Sequence, residues 1–133
     1  MSNIQRVIID TSILIDHLRG TSEDFKLLDN LRIQGKIELL IPDIVICELF
    51  AGKEARKKKV QENFNKLIED LSVTGLTINS AKIAGKLIRT YTQIPDPFDF
   101  LIAAVAIEQN AYIATHNIKH FKQIPQIKLL KIS

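Results

Sequence analysis

Apolar residues occur in two patterns along the chain, as short continuous runs and as longer stretches with helical spacing. The runs at 6–10, 38–41 and 111–115 are dominated by apolar residues, which is typical of strands buried on both faces of a sheet. Two further short strands are predicted at 76–78 and 127–132. The pattern therefore predicts a sheet of short strands that is covered on both sides.

Helices are predicted between the strands, because residues that cap helix N-termini and glycines that end helices flank the intervening stretches. The predicted helices cover 11–19, 21–34, 42–50, a basic amphipathic stretch that ends near 71, 79–91, 96–110 and a short segment near 119. Strands that alternate with helices require crossover connections and favour parallel pairing. We therefore expect an α/β fold, with one domain over 1–133 in which a central, mainly parallel sheet lies between two helical layers.

Candidate chemistry lies where the strands end, because ligands of such sheets bind beyond the carboxyl ends of the strands. Asp10 ends the first strand, where it either belongs to a functional site or forms a turn or helix cap. Glu48 has no lysine or arginine three or four residues away, so a local ion pair does not explain it. A carboxylate among apolar helix neighbours is costly unless it is paired or binds a cation. The alternative is that Glu48 simply faces water.

Asp99 lies in the first turn of a helix that Asp96 and Pro97 are predicted to start. The helix dipole alone favours an acid at this position by about 0.3–1 kcal/mol, so a purely structural role is open. The residues at 101–107 are all apolar, which indicates a buried helix. Its N-terminus is therefore expected to point from the core toward a surface that it shares with other elements.

Convergence of Asp10, Glu48 and Asp99 would create a cation site. Two like charges about 4 Å apart repel by about 4 kcal/mol at an effective dielectric of about 20. Such a cluster either takes up protons or binds a cation. Carboxylate oxygens without the ligand spacing of histidine or cysteine suit Mg²⁺ or Mn²⁺ rather than zinc. This arrangement fits the hydrolysis of phosphodiester bonds, although spacing along the chain does not itself show the convergence.

Composition narrows the class of protein. The 133 residues, of which 46% are hydrophobic and 25% charged, suffice for one globular core and exclude an intrinsically disordered chain. The single cysteine, Cys47, excludes an intramolecular disulfide and a cysteine zinc site. No apolar run approaches the about 20 residues of a membrane span. The N-terminus lacks the pattern of a secretory signal, so we expect a cytoplasmic protein.

The net charge of +3 is compatible with a polyanionic partner. Basic residues concentrate around the run Lys57, Lys58 and Lys59. This run is either a solvated helix face or a surface that contacts the phosphates of a nucleic acid.

Four short segments carry a family resemblance. In chain order they are Val7–Leu14, Ile46–Leu49, Asp99–Ala104 and Ala114–Phe121. Together they resemble the PIN domain, and most closely its VapC-type toxin ribonucleases. The Asp-x-Leu-Ile-Ala-Ala segment is fairly specific by itself, and the occurrence of all four segments in this order makes the resemblance strong.

The resemblance implies a magnesium-dependent RNA endonuclease in which Mn²⁺ can replace Mg²⁺. Asp10 and Asp99 would be the main metal ligands, and Glu48 would complete the catalytic acids directly or through a water. Hydroxyl and backbone groups at the rim of the site would orient waters. These rim residues are Thr11, Ser12, Thr115 and Asn117. The family also implies a homodimer and a cognate VapB-like antitoxin that blocks the acidic cleft.

One position departs from the pattern of the family. Many relatives carry a fourth acid after the strand that ends at Thr115, and Asn117 is the best counterpart here. An asparagine can hold a metal-bound water but adds no charge, so we expect one tightly held ion. His116 and His120 in this segment either contact RNA or are exposed or capping residues.

Two other functions compete with the nuclease. A receiver-like signalling domain also has an acidic Mg²⁺ site, but it needs an acidic pair early in the chain and a lysine after the last core strand. Asp10 has no acidic neighbour, and no Lys-Pro pair follows the last strand. The stronger alternative is a catalytically idle RNA- or partner-binding module on the same fold, because the fourth acid is missing.

Overall fold

The computed structural model of the chain describes residues 4–92 and 96–132. The strands are β1 (Gln5–Ile9), β2 (Ile37–Pro42), β3 (Ser72–Thr74), β4 (Tyr112–Ala114) and β5 (Lys128–Leu129). The helices are α1 (Thr11–Leu18), α2 (Asp24–Ile33), α3 (Asp43–Ala51), α4 (Lys58–Glu69), α5 (Ile78–Thr90), α6 (Pro97–Glu108) and α7 (Ile118–Lys122). A 3₁₀ turn, Lys53–Arg56, links α3 to α4.

Within these residues, five strands form one sheet in the order β3-β2-β1-β4-β5, and every neighbouring pair is parallel. Val7 pairs with Leu39 on one side and with Tyr112 on the other, which makes β1 the central strand. The predicted α/β fold with a central, mainly parallel sheet is confirmed.

Successive residues of the central strands are buried. Val7, Ile8 and Ile9 on β1 have no exposed surface. Because neighbouring side chains of a strand point to opposite faces, both faces of the sheet are covered. Helix α6 is buried at 102–106, as the apolar pattern predicted. In the part of the chain that the structure describes, no helix is long and apolar enough to cross a membrane.

The predicted strand at 76–78 is wrong. Strand β3 ends at Thr74, and Thr77 is the N-cap of α5. The Thr77 hydroxyl accepts the Ser80 N–H at 3.0 Å, and the Ser80 hydroxyl accepts the Thr77 N–H at 2.7 Å. This capping box starts the helix at Ile78, which explains why the Leu-Thr-Ile triplet at 76–78 does not form a strand of the sheet.

The strand order reverses between β1 and β4. From β1 the chain moves outward through β2 and β3, whereas β4 and β5 lie on the other side of β1. In a parallel sheet this switch point leaves a crevice beyond the carboxyl ends of the two strands. Asp10 follows β1 and Thr115 follows β4, so both lie at this crevice. The Asp10 N–H donates to the Ala114 carbonyl at 3.0 Å, which joins the two strand ends.

Candidate active site

Asp10 is buried in the crevice, with 2% of its surface exposed. It holds the N-cap position of α1, but its side chain makes no capping hydrogen bond. Its Oδ2 instead accepts a hydrogen bond from the Ser12 hydroxyl at 2.9 Å and another from the Thr115 hydroxyl at 2.6 Å. The carboxylate is therefore oriented by two hydroxyls rather than used as a cap.

Glu48 reaches the same crevice from α3 and is partly buried. Its Oε1 accepts a hydrogen bond from the Thr11 hydroxyl at 2.9 Å. Burial raises the pKa of Glu48 to about 7, against the opposing effect of the Thr11 hydrogen bond. The charges of Asp10, Asp96 and Asp99 raise this pKa further. The interpretation of Glu48 as a glutamate that faces open water is therefore wrong.

Asp99 enters the crevice from the first turn of α6, with 5% of its surface exposed. Burial raises the pKa of Asp99 to about 6, although the hydrogen bond from His120 opposes the effect. The charges of Asp10 and Asp96 add to the rise, and the charge of His120 reduces it. His120 Nδ1 lies 2.9 Å from Asp99 Oδ2.

The three acids therefore share one electrostatic environment. The charge of Asp10 raises the pKa of both Glu48 and Asp99, and the charge of Asp99 raises that of Glu48. Within 4–92 and 96–132, however, no group of three His, Cys, Asp or Glu side chains is arranged as a metal site. The acids converge on one crevice without forming a closed ligand cage.

The chemistry of this crevice fits a hard divalent cation. Burial and mutual repulsion raise the pKa values of two carboxyls, and a bound cation would relieve both effects. The carboxylates and hydroxyls offer oxygen atoms, which Mg²⁺ prefers, and Mg²⁺ needs only one or two carboxylates because it retains waters. The lysine and arginine ion pairs of the described residues involve other acids, namely Glu38, Glu54, Glu23 and Asp29.

Backbone N–H groups of the segment after β4 donate hydrogen bonds to the two hydroxyls that contact Asp10. The His116 N–H donates to Ser12 Oγ at 3.0 Å, and the Asn117 N–H donates to Thr115 Oγ1 at 2.9 Å. The predicted rim residues Ser12, Thr115 and Asn117 are therefore connected by hydrogen bonds, whereas Thr11 donates to Glu48. Asn117 itself is exposed and takes part through its backbone.

Two residues besides the predicted site residues act on the acidic cluster. His120, rather than Asn117, brings its side chain to Asp99. Asp96 caps α6 by accepting the Phe98 N–H at 3.0 Å, and its charge also acts on the neighbouring acids. The three-residue spacing of Asn117 and His120, one turn of a short helix, was the available hint that either could face the site.

His116 forms a separate bridge beside the rim. Its Nδ1 lies 2.5 Å from Asp16 Oδ2, and its Nε2 lies 2.7 Å from Asp24 Oδ2. Burial lowers the pKa of His116, but the hydrogen bonds and charges of Asp24 and Asp16 outweigh it, so the pKa is raised. The imidazole thereby links the segment after β4 to both α1 and α2.

Lys57, Lys58 and Lys59 are exposed where α4 begins. Gly52 ends α3, and the 3₁₀ turn separates the two helices, so the basic run stands at a helix start rather than inside a continuous helix. The three lysine charges are therefore accessible to solvent and to a polyanionic partner.

Comparison with known proteins gives consistent matches over nearly the whole chain. The family model of the PIN domain matches residues 7–126. The chain is 34% identical to Ribonuclease VapC19 of Mycobacterium tuberculosis over 125 residues, which are 91% of this chain and 96% of that protein. It is 27% identical to the tRNA(fMet)-specific endonuclease VapC of Salmonella typhimurium over 130 residues, 93% and 96% of the two chains.

A solved structure extends this similarity to the fold. The crystal structure of VapBC2 from Rickettsia felis bound to a DNA fragment from their promoter contains a chain that superposes with a TM-score of 0.80. The two chains are 26% identical, and the match covers 95% of this chain and 98% of the other. The sequence match, the parallel sheet and the acidic crevice at its switch point agree, and this chain belongs to the PIN-domain family.

Proposed function

We propose that this protein is a metal-dependent RNA endonuclease, the toxin of a type II toxin–antitoxin pair, which hydrolyses phosphodiester bonds. The observation that carries the proposal is that Asp10, Glu48 and Asp99 lie in one crevice, where the charge of Asp10 raises the pKa of the other two acids. Relatives named as a ribonuclease and as an endonuclease support RNA as the substrate class.

Asp10 and Asp99 are the proposed main metal ligands, because both are almost fully buried in the crevice, Asp10 directly after β1 and Asp99 in the first turn of α6. Glu48 would complete the set directly or through a water. When bound, Mg²⁺, or Mn²⁺ in its place, supplies positive charge that polarises a phosphate and lowers the pKa of a water. We propose a single ion, because Asn117 contributes no carboxylate.

Glu48 is suited to accept the proton of the attacking water. Without a bound cation the pKa of Glu48 is about 7. A cation in the crevice would lower this pKa, so that Glu48 would be ionised at neutral pH and able to accept a proton. Thr11 holds its Oε1, so Oε2 is the proposed proton acceptor. Ser12 and Thr115 would meanwhile keep the Asp10 carboxylate in a fixed orientation.

The proposed partners are RNA, a VapB-like antitoxin and a second copy of the chain. The Rickettsia felis chain lies in a structure of VapBC2, which supports a VapB-like antitoxin as a partner. We propose that this partner blocks the acidic crevice. Three apolar side chains from β3 to the start of α5 are exposed, namely Val73 (56%), Leu76 (38%) and Ile78 (79%). Large apolar side chains that are exposed close together support a protein contact and hence the homodimer.

Cleavage of RNA by the purified chain tests the proposal. We expect cleavage with Mg²⁺ or Mn²⁺ that a chelator stops, and loss of cleavage in both Asp10→Asn and Asp99→Asn. Asp70→Asn is the matched control, because Asp70 is exposed after α4, and it should retain the wild-type rate. A wild-type chain that binds RNA but cleaves none with either ion would instead support the idle binding module.

A further inference from the structure

His116 contacts a carboxylate at each of its two ring nitrogens. Its Nδ1 lies 2.5 Å from Asp16 on α1, and its Nε2 lies 2.7 Å from Asp24 on α2. A neutral imidazole has one N–H and can donate to only one of two carboxylates, whereas an imidazolium donates to both. The geometry is therefore that of a protonated His116 between two ionised acids.

The charged groups around the ring favour this cationic form. The side chains of His116, Asp16 and Asp24 are 26%, 32% and 22% exposed, so they are partly shielded from solvent. Two cations stand nearby, namely Arg19, which is influenced by the charge of Asp16, and Lys131, which lines the same surface hollow as Asp24 and His116. Burial lowers the pKa of His116, but the hydrogen bonds and charges of the two acids outweigh it, and the pKa is raised.

The backbone beside this ring orders the rim of the crevice. The His116 N–H donates to Ser12 Oγ at 3.0 Å, and the Asn117 N–H donates to Thr115 Oγ1 at 2.9 Å. Each hydroxyl in turn donates to Asp10 Oδ2, from Ser12 at 2.9 Å and from Thr115 at 2.6 Å. A hydroxyl has a single proton to donate, so the N–H group that it accepts helps to fix the direction in which it donates.

Helix α1 contacts His116 at two points. Ser12 and Asp16 are four residues apart and therefore lie on one face of the helix. Ser12 accepts the backbone N–H of His116, and Asp16 contacts its ring. Asp24, the first residue of α2, adds a third point. Residues 115–117 belong to no helix or strand, so these contacts hold the turn that they form.

We propose that His116 is a positioning residue for RNA cleavage, because its cationic ring holds the 115–117 turn whose N–H groups orient two hydroxyls toward Asp10. This inference rests on the proposed function and adds a residue whose ring nitrogens contact Asp16 and Asp24 rather than the acids of the crevice. Loss of the bridge releases the turn and with it the orientation of the Asp10 carboxylate. Because orientation of the reacting groups lowers the barrier, its loss reduces turnover more than substrate affinity.

Steady-state cleavage of RNA at several pH values tests the proposal. His116→Gln removes the ring charge, and at about pH 6 its kcat should be about tenfold below that of the wild type, while KM changes by less than about threefold. The ratio of the two kcat values should shrink as the pH rises through the titration of His116, because the wild-type ring then loses its charge too. The ratio cancels every pH dependence that the two proteins share.

Glu54→Gln is the matched control, because Glu54 pairs with Arg19 of the same α1 region and not with the segment after β4. Its kcat should equal that of the wild type at every pH. Asp24→Asn keeps an acceptor for His116 Nε2 and removes one charge, so it should lose less kcat than His116→Gln. It also carries the test if His116→Gln does not fold.

Nitrogen-15 resonance of the His116 ring in the metal-free chain gives a readout that does not depend on cleavage. The midpoint of the ring titration should lie above 6.5 in the wild type and should fall in Asp24→Asn. A wild-type midpoint at or below 6.5, a kcat of His116→Gln equal to that of the wild type, or a kcat ratio that does not change with pH would overturn the positioning role while leaving the nuclease proposal intact. A wild type that cleaves no RNA with Mg²⁺ or Mn²⁺ would overturn both.

Discussion

Thr115 donates a 2.6 Å hydrogen bond to Asp10, although the two residues lie 105 positions apart in the chain. The bond connects the segment after β4 to the end of β1, where the strand order reverses. Hydrogen bonds to ionised carboxylates are shorter and stronger than neutral ones. The topology of the sheet therefore both brings Asp10 into the crevice and supplies the hydroxyl that orients it.

Removal of this hydroxyl should impair the site without unfolding the protein. Thr115→Val keeps the shape of the side chain but removes the donor to Asp10. We expect Mn²⁺ affinity and RNA cleavage to fall by about 10- to 100-fold, as for other groups that orient a metal ligand. Thr90→Val is the control, because the Thr90 hydroxyl is exposed and donates to the Lys86 carbonyl. Equal losses in the two variants would show that the Asp10 contact has no special role.

Glu48→Gln should stabilise the metal-free protein at alkaline pH. The pKa of Glu48 in the folded state, about 7, lies above the ordinary glutamate value of 4.5, so the folded state holds the proton more tightly than the unfolded state. The contribution of this proton to the free energy of unfolding is therefore complete below pH 4.5 and is lost as the pH rises through about 7. Glutamine cannot ionise and can still accept from Thr11, so at about pH 8 its Tm should exceed that of the wild type by about 3–5 °C.

The same variant should respond less to metal. Thermal unfolding with and without Mn²⁺ should show a rise of Tm in the wild type that increases with pH, because the ion competes with protons for the carboxylates. In Glu48→Gln this rise should be smaller. A variant that is less stable than the wild type at every pH would contradict the electrostatic account of Glu48.

His116→Asn should remove a pH-dependent contribution to stability. The folded pKa of His116 is raised above 6.5 by Asp24 and Asp16, so this contribution is complete below pH 6.5 and disappears as the pH rises through the folded value. The difference in Tm between wild type and variant should therefore be larger at about pH 6 than at about pH 9. A difference that does not change with pH would show that the bridge acts through packing alone.

The lysine run should contribute to RNA affinity through charge. Replacing Lys57, Lys58 and Lys59 with Gln should reduce the slope of log affinity against log salt by about 2, because each phosphate contact in single-stranded RNA contributes about 0.7. The measurement is RNA binding at several salt concentrations with Asp99→Asn in both proteins, so that the RNA stays intact.

A control variant loses the same number of positive charges at the opposite end of the strands. Arg6, Lys36 and Lys128 stand at or before the starts of parallel strands, away from the carboxyl ends that carry the acids. Their replacement with Gln should leave the salt slope closer to the wild-type value. Equal slopes for the two triple variants would assign the run to a solvated helix face.

Local sequence patterns were sufficient for most of the fold and for the acids at strand and helix ends. Asp96 and Pro97 predicted the start of α6, and the apolar residues after Asp99 predicted its burial, because capping and periodicity are encoded within a few residues. Asp10 could be placed at the end of β1 for the same reason. Its orientation could not, because Thr115 reaches it only through the pairing of β1 with β4.

Contacts between distant residues account for what the sequence did not show. The bridge from His116 to Asp16 and Asp24 joins residues 100 and 92 positions apart, and no local pattern encodes it. The side chain of His120 faces Asp99 because of how α7 packs on α6, whereas spacing alone favoured Asn117 equally. The triplet at 76–78 has strand-like composition, but the capping box of Thr77 decides its conformation.

Titration of the metal-free protein with Mn²⁺ in a calorimeter tests the central claim most directly, namely that Asp10, Glu48 and Asp99 form one cation site. The wild type should bind a single Mn²⁺, and Asp10→Asn and Asp99→Asn should each weaken binding by at least about tenfold. Asp70→Asn should bind like the wild type. A wild-type protein that binds no Mn²⁺, or one whose affinity is unchanged by both substitutions, would contradict the claim.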